Sequence, residues 1–459
     1  MPAHDAFGLT PQTVIRDSLY DLIPLSREAA ALLDTPAFLR LDRIQQLGFV
    51  ARVWPGAKHT RFEHSLGVMH LMRAALERLR ARQAPLSDET ARTAIAAALL
   101  HDIGHYPFSH AIEELGPPVR SHEEVGRALL VQGELSSVLR EVWRVDPARV
   151  ARLIRPGAEP LPAEDRLVRG LLSGPLDVDK LDYLPRDAHA CHVPYGGLDT
   201  SRLLDALRVV EVEGALRLGI DEKGISPLHS LINARQEMFD NVYWHHANRA
   251  CMAMLLRAVQ DAVSAGLPAD ELTAHDDASL LARLGAGDMP ASTRRLVTGL
   301  HERRLHKRAV EIGARAGDLY AYLGRLFYDP AARRTLERAM CATLAAETGL
   351  AVADGDILLD IPKPERWRTD VWVTFETPPV GFTALMPWQD VAGVTDDDLK
   401  RYEEHRRLLR IVAVAPLRDA VRARWERLLL PLSGALLVSA APASEGSPGG
   451  ARLPRSANG

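Results

Sequence analysis

Ser87-Asp88-Glu89, leading into Ala94-Ile95-Ala96-Ala97-Ala98-Leu99-Leu100-His101-Asp102-Ile103-Gly104-His105, is the stretch whose reading decides the fold. A serine before two acids marks a capped helix with an acidic first turn, where carboxylates meet the positive end of the helix dipole. The apolar run from Ala94 to Leu100 then passes directly into His101 and Asp102, which puts a His-Asp dipeptide at the end of a buried helix. Upstream, Leu66, Met69, His70, Met72, Leu76 and Leu79 recur three and four apart, the helical period. Downstream, Ser121-His122-Glu123-Glu124 matches the S-x-x-E capping box, whose reciprocal bonds stabilise a helix start by about 1 kcal/mol. His122 therefore belongs to a first turn, and from Ser26 to about Pro330 helices dominate.

Beyond Pro330 the texture changes. Ile357 to Ile361 and Val371 to Phe375 are β-rich, separated by Pro362, Lys363 and Pro364, and Ile411 to Val414 reads as another strand. With helices expected over Thr395 to Leu409 and Leu417 to Leu430, they predict a small α+β lobe. Leu428 to Ala443, broken by Pro431, Ser433, Gly434 and Ser439, falls short of the roughly 20 apolar residues of a membrane helix and reads as a buried strand. Ala441 to Gly459, rich in Ala, Ser, Gly and Pro, is expected to be a disordered tail. The expected organisation is mainly α: a helical core with an N-terminal extension over 1–330, the α+β lobe over 331–440, and the tail over 441–459.

A length of 459 residues, with 47% apolar and 25% charged, supports a sizeable core and excludes wholesale disorder. The net charge of -4 gives no global attraction to nucleic acid or to an anionic membrane, so any basic site must be local. Cys191, Cys251 and Cys341 are odd in number and far apart, which argues against a disulfide framework and fits a reducing compartment. Met1 to Thr10 lacks the basic stretch and apolar run of a secretory signal, so the expected location is cytoplasmic, without a membrane anchor.

Nine of the 17 histidines fall between His59 and His192. A single buried histidine is more often a satisfied core residue than a ligand, but several that fit one geometry weaken that explanation. His64, His101, Asp102 and Asp179 supply two imidazoles and two carboxylates, a set suited to a divalent cation such as Mn, Mg, Fe, Ni or Zn. Such a cation lowers the pKa of bound water and polarises a phosphoryl oxygen. Asp179, Asp182, Tyr183 and Arg186 are spaced to share one helical face, which Pro185 bends or ends.

His101-Asp102, with His64 upstream and Asp179 downstream, matches the H…HD…D pattern of the HD phosphohydrolases. The surrounding text is more specific: Asp34-Thr35-Pro36, Arg43-Ile44-Gln45-Gln46-Leu47-Gly48, Pro55-Gly56-Ala57, Arg61-Phe62-Glu63-His64-Ser65-Leu66-Gly67-Val68, and then Tyr106-Pro107-Phe108-Ser109-His110 after His105. Asp177-Val178-Asp179-Lys180-Leu181-Asp182-Tyr183-Leu184-Pro185-Arg186-Asp187 completes it. The chain resembles the deoxynucleoside-triphosphate triphosphohydrolase branch of the HD-domain superfamily, over roughly Val14 to Lys307, without a segment suggesting a SAM domain.

The resemblance implies a helical HD-domain core and metal-hydroxide attack on the α-phosphorus of a dNTP, releasing deoxynucleoside and inorganic triphosphate. It implies that His64, His101, Asp102 and Asp179 are the metal ligands. His110 matches the proton donor to the leaving 5′ oxygen, His105 and His122 match further active-site histidines, and Glu113 stands where many relatives carry Asp. Arg61, Lys180, Tyr183 and Arg235 match phosphate-binding positions, Gln46 and Asp187 match contacts to the sugar 3′-hydroxyl, and Tyr243 matches the ring beneath the sugar. Leu39 and Asp42 replace the Gln and Arg with which relatives read an activating guanine. Arg303 and Lys307, four apart on an expected helical face, match phosphate binders of an effector site. The implied partners are a dNTP substrate, a nucleotide effector without guanine selectivity and further copies of the chain. Two alternatives stay open: another HD phosphohydrolase (nuclease, nucleotidase or cyclic-nucleotide phosphodiesterase), or a nucleotide-sensing or nucleic-acid-binding scaffold with a structural metal. Nucleic-acid binding is not favoured, because a basic stripe with interleaved aromatics is absent apart from Arg303 to Arg308.

Overall fold

The computed structural model of the chain describes residues 7–364 and 370–429. Its centre is the helix Asp88–Leu100, capped by the Ser87 side chain on Thr90 N–H. From Ala94 to Leu100 every residue of this helix is buried. A helix apolar on all sides must be surrounded, and its alanines let neighbours approach closely. The helices Arg61–Ala81 and Ala163–Leu172 pack on it, and Val178–Cys191 packs on Arg61–Ala81. The sequence-read capping box at Ser121 and Glu124 is present and starts the helix His122–Val131.

Pro185 neither ends nor divides its helix, which runs on to Cys191 and stops where His192 turns to φ 53°. A two-stranded antiparallel hairpin, β1 (Pro11–Asp17) with β2 (Asp21–Ser26), precedes the helical body. A second hairpin, β3 (Leu207–Val212) with β4 (Ala215–Asp221), interrupts the helical region. Its turn is Glu213-Gly214, both at positive φ, the conformation that suits tight two-residue hairpins.

The remaining strands are β5 (Lys307–Ile312), β6 (Ile357–Asp360), β7 (Trp372–Thr374), β8 (Leu385–Pro387) and β9 (Leu409–Ala413). They form two sheets, β3-β4-β7-β8 and β5-β9-β6. The strands expected near 357, 371 and 411 are therefore present but do not share one sheet. Val371, Val373, Phe375 and Trp388 bury in the main core, which draws β7 and β8 to the β3-β4 hairpin. Leu358 and Val412 face the core around the helix His246–Ser264, while Ile357, Leu359 and Ile411 face the C-terminal core. Burial on both faces explains the apolar runs Ile357 to Leu359 and Ile411 to Ala413, beside which Asp360 and Arg410 are buried as an ion pair. β5 enters this sheet from before residue 330, and the helix Pro330–Thr348 packs on it from after.

Two expectations are corrected. Arg303 and Lys307 do not share a helical face: the helix Ala291–His301 is already over, Arg303 turns at φ 59°, and Lys307 pairs with Ala413 as the first residue of β5. The helices expected at Thr395 and Leu417 appear as Asp396–Arg406 and Arg418–Leu428, so Leu428 closes a helix and does not open a strand. The rest of the strand expected to Ala443 and the tail over 441–459 lie outside the described residues. Among the described residues no helix is long and apolar enough to cross a membrane.

Candidate functional site

Three helices carry His64, His101, Asp102 and Asp179 to one point. His64 sits one turn into Arg61–Ala81, His101 caps Asp88–Leu100 with Asp102 next to it, and Asp179 lies in the first turn of Val178–Cys191. His64 Nε2 is 3.0 Å from Asp179 Oδ1 and 3.8 Å from Asp102 Oδ2. His101 Nε2 is 3.4 Å from Asp102 Oδ1 and 3.7 Å from Asp179 Oδ1. Donors about 2.1 Å from a cation stand roughly 3.0–3.4 Å from one another; single donor atoms of His64, His101 and Asp179 gather within 4.8 Å, the neighbourhood of one ion, and Asp102 borders them through both of its oxygens.

The imidazole tautomers fit as well. His101 Nδ1 donates to Ala98 O at 2.8 Å, which leaves the buried Nε2 as a lone pair with no hydrogen-bond partner among the described residues. His64 Nδ1 donates to Asp182 Oδ2 at 2.8 Å, turning Nε2 toward the carboxylates. Asp182 is itself gripped by Arg186 at 2.9 Å through both Nε and Nη2, and Arg186 reaches Asp17 of the β1–β2 hairpin at 2.8 Å. Gly67 makes room for this clamp, since a Cβ there would come within 2.6 Å of Asp182 Cγ.

Electrostatics follow from the same contacts. Burial works against charge on His64, but hydrogen bonds to Asp179 and Asp182 push it up to about 10. His101 is raised against its burial mainly by Asp102. Burial is likewise overcome at Asp102 by Arg61 and at Asp179 by His101 and His64, so both carboxyls are held well below the usual range. Two carboxylates thus stay ionised beside two imidazoles whose protons a cation would displace.

His105, His110, Glu113 and His122 gather beside the first group. The His105 and His122 rings stack 3.9 Å apart, 15° from parallel, and His110 meets His105 edge-on at 4.6 Å. Glu113 Oε1 accepts from His122 Nδ1 at 2.7 Å and from its backbone N–H at 3.1 Å, and Oε2 is 4.0 Å from His110 Nδ1. Burial, reinforced by Arg61, drives His105 well below the ordinary imidazole range and keeps it neutral. Against its burial, His122 is raised by Glu113, and Glu113 is lowered by His110 and His122. Their donor atoms lie within 4.8 Å of one another. Stacked imidazoles aim their in-plane lone pairs side by side, however, an arrangement better suited to moving a proton than to sharing an ion. Gly104 lies backbone to backbone against Gly126, where a Cβ would come within 2.8 Å of Gly126 Cα. This contact ties the His101–His105 turn to the His122 helix.

The other sequence-read residues surround these two groups with varied freedom. Arg61 is buried, paired with Asp102 and donating to Ser109 Oγ at 3.2 Å. Lys180 Nζ donates to Gly174 O at 3.0 Å and pairs with Asp177. The Tyr183 ring is 6.5 Å from that of Tyr243, and burial, offset in part by Arg235, raises its hydroxyl pKa. Gln46 Oε1 is buried without a hydrogen-bond partner among the described residues. Asp187 is fully engaged: Oδ1 pairs with His59 Nε2 at 2.7 Å and Oδ2 accepts from Tyr243 OH at 2.6 Å. Sequence reasoning assigned no role to His59, Asp17 or Asp182. Of these, only Asp182 carried a signal, its place on the Asp179 face.

Lys307 lines a cavity of about 230 Å³ with His246, Leu305, Arg308, Arg418 and Arg422. Arg303 points elsewhere, donating to Arg52 O at 2.8 Å.

The segment that carries these residues has known relatives. The HD domain family profile matches residues 61–187, and the HD associated region matches residues 198–376. The chain is 34% identical over 272 residues to the uncharacterized protein MJ1154 of Methanocaldococcus jannaschii, covering 59% of this chain and 54% of the relative. It is 34% identical over 232 residues to the uncharacterized protein YwfO of Bacillus subtilis, covering 50% and 51%. It is 30% identical over 275 residues to the deoxynucleoside triphosphate triphosphohydrolase SAMHD1 of Homo sapiens, covering 53% and 44%. The matches thus span about half the length of these relatives. A crystal structure of a hypothetical protein from Aquifex aeolicus, 24% identical, superposes with a TM-score of 0.69 over 90% of this chain and 99% of that one. This last likeness concerns the fold alone.

Proposed function

We propose that this chain, which belongs to the HD-domain family, is a metal-dependent phosphohydrolase that splits deoxynucleoside triphosphates into deoxynucleoside and inorganic triphosphate. The observation that carries the reading is the adjacency of the two groups: Asp102 Oδ1 of the four-ligand set is 3.4 Å from His105 Nε2 of the histidine cluster. Such a pairing suits cleavage of a phosphoester whose leaving oxygen needs a proton. A divalent cation held by His64, His101, Asp102 and Asp179 supplies activation of water and polarisation of the phosphoryl oxygen. The activity for which the human relative is named supports the choice of substrate.

His110 is the proton donor in this reading. Two-thirds of its side chain is exposed, so it can reach a bound substrate, and Glu113 behind Nδ1 orients the ring. Glu113 and His122 form the reserve that returns the proton, while neutral His105 fills the space between His110 and the ligands. Arg61 acts through Asp102 more than on phosphate, because both its contacts are internal. Lys180, about a quarter of whose side chain is exposed, meets the triphosphate by releasing Asp177 and Gly174 O, and Tyr183 and Arg235, which interact with each other, complete the phosphate contacts. Asp187, held by His59 and Tyr243, presents a fixed sugar-side wall with Gln46. Lys307, with its cationic neighbours, offers an anionic effector a seat between copies of the chain, while Arg303 takes no part.

Product analysis tests the reading. The purified protein is incubated with each dNTP, each rNTP and single-stranded DNA in Mn or Mg. Inorganic triphosphate from dNTPs alone is expected. Pyrophosphate, monophosphate or shortened DNA as the principal product would overturn the assignment.

A further inference from the structure

A chain of ion pairs leaves the candidate site and runs into the C-terminal sheet. It begins at Glu114, the neighbour of Glu113 in the short helical turn Ser109–Leu115. Glu114 Oε1 lies 3.3 Å from Arg249 Nη1, and Arg249 Nε donates to Asp360 Oδ1 at 2.8 Å. Asp360 Oδ2 accepts from Arg410 Nη1 at 3.2 Å, and Arg410 Nε donates to Glu311 Oε1 at 3.0 Å. Glu311 Oε2 in turn meets Arg308 Nη1 at 3.0 Å, and Arg308 lines the cationic cavity. The signs alternate without a break from the turn, through the helix His246–Ser264, to β6, β9 and β5.

Burial makes this an expensive way to hold two parts of a protein together. The side chains of Arg249 and Arg410 are about one-twentieth exposed and that of Asp360 not at all. Each charge withdrawn from water costs several kcal/mol before pairing offsets it, and well-packed apolar residues often do as well or better. What ion pairs add is a fixed distance and direction. Arg249 touches two carboxylates at once through its planar fork, which sets the separation of Glu114 from Asp360.

The turn has reason to need such a fixture. Phe108 and Ser109 enter it with consecutive left-handed backbones, at φ 58° and 60°. Non-glycine residues there cost of order 1–3 kcal/mol each and persist only where surrounding contacts over-determine them. The entry is held by Asp277, which accepts from Phe108 N–H at 2.8 Å, and by Ser109 Oγ, which donates to the Gln45 and Gln46 carbonyls. At the far end, Glu114 is buried with Oε2 unpartnered among the described residues, so its hold on the rest of the fold is through Arg249.

We infer that Arg249 is a positioning residue: through Glu114 it fixes the turn that carries His110 and Glu113, and it ties that turn to the C-terminal strands. The effect on turnover rests on the reading of His110 as proton donor, whereas the effect on the turn does not.

Glu114→Gln breaks only the first link and leaves Arg249 on Asp360. Arg249→Lys keeps the charge and loses the fork. Both are assayed for dNTP hydrolysis with Mn, for bound metal, and for hydrogen–deuterium exchange along the chain. In each variant kcat is expected to fall by about 10–100-fold, as for a small misplacement of a reacting group. KM and metal content should stay at wild-type values, and exchange should rise in 109–115 ahead of the rest of the chain. Wild-type kcat with unchanged exchange in 109–115 overturns the inference. So does uniform acceleration of exchange, which marks a merely structural role, and so does loss of metal. Faster exchange confined to 109–115 in a protein that hydrolyses no dNTP supports the inference and discards the substrate reading alone.

Discussion

Gly67→Ala tests the clamp behind His64, because two effects of known size pull in opposite directions. Gly67 lies inside the helix Arg61–Ala81, where alanine is the better helix former by about 0.8–1 kcal/mol. On propensity alone the substitution stabilises. An added Cβ, however, would overlap Asp182 Oδ1 outright and stand 2.5 Å from Arg186 Nη2. A relaxed contact is about 3.5–4.0 Å, so the pair must retreat by well over about 1 Å. That movement gives up the 2.9 Å bond from Arg186 Nη2 to Asp182 Oδ1 and loosens the 2.8 Å bond from His64. One hydrogen bond between charged groups contributes about 1.5–3 kcal/mol, and overpacking adds a cost of about 1–3 kcal/mol. The balance is a net loss of about 2 kcal/mol or more, a fall in Tm of about 2 °C or more at roughly 1 °C per kcal/mol for 459 residues. Metal affinity should drop about 10–100-fold, since the imidazole loses the group that aims it. Calorimetric melting in chelator and titration with Mn measure the two quantities separately. A variant that melts at or above the wild-type temperature and binds Mn as tightly would refute the clamp.

Four further outcomes are expected. Asp179→Ala loses bound metal and turnover while melting normally, whereas Asp102→Ala also melts lower, because buried Arg61 loses its partner; elemental analysis and calorimetry separate the two. His110→Ala keeps its metal and loses about 10²-fold or more in turnover, and metal loss in that variant would mean a ligand. Glu113→Gln removes the group that raises His122, so that imidazole sheds its proton at lower pH and the alkaline limb of the kcat profile moves down; an unmoved limb counts against the relay. Hydrolysis of dNTPs proceeds without GTP, given Leu39 and Asp42 at the positions where guanine would be read, and strict GTP dependence measured by turnover and mass would contradict this.

What the sequence disclosed and what it hid divide along the distance between partners. His101-Asp102 at a helix end, the Ser121 capping box and the Asp179–Arg186 face are local, written in residues within one or two turns of each other. The β3–β4 hairpin went unread because it interrupts a region of helical periodicity and Glu213-Gly214 is a weaker turn signal than Asn-Gly. The Asp17–Arg186–Asp182–His64 relay joins residues from three distant segments, so spacing says nothing of it. Arg303 and Lys307 misled for the complementary reason: a separation of four implies a shared face only while a helix continues, and this one has already ended.

The contact between Gly104 and Gly126 divides the site into parts that can change separately. With no side chain between the two backbones, His101 and Asp102 on one side and His122 on the other are fixed to each other like two posts on one footing. The segment 106–121, with His110 and Glu113, is slung between the posts and touches neither ligand helix through Gly104 or Gly126. Outside Phe108 and Ser109, which enter the turn against Asp277 and Arg61, and Glu114, which Arg249 holds, its residues are therefore open to variation while the cation site stays in register. A library confined to 106–121 would be the natural place to seek new leaving groups, with Mn affinity as the constant against which each member is judged.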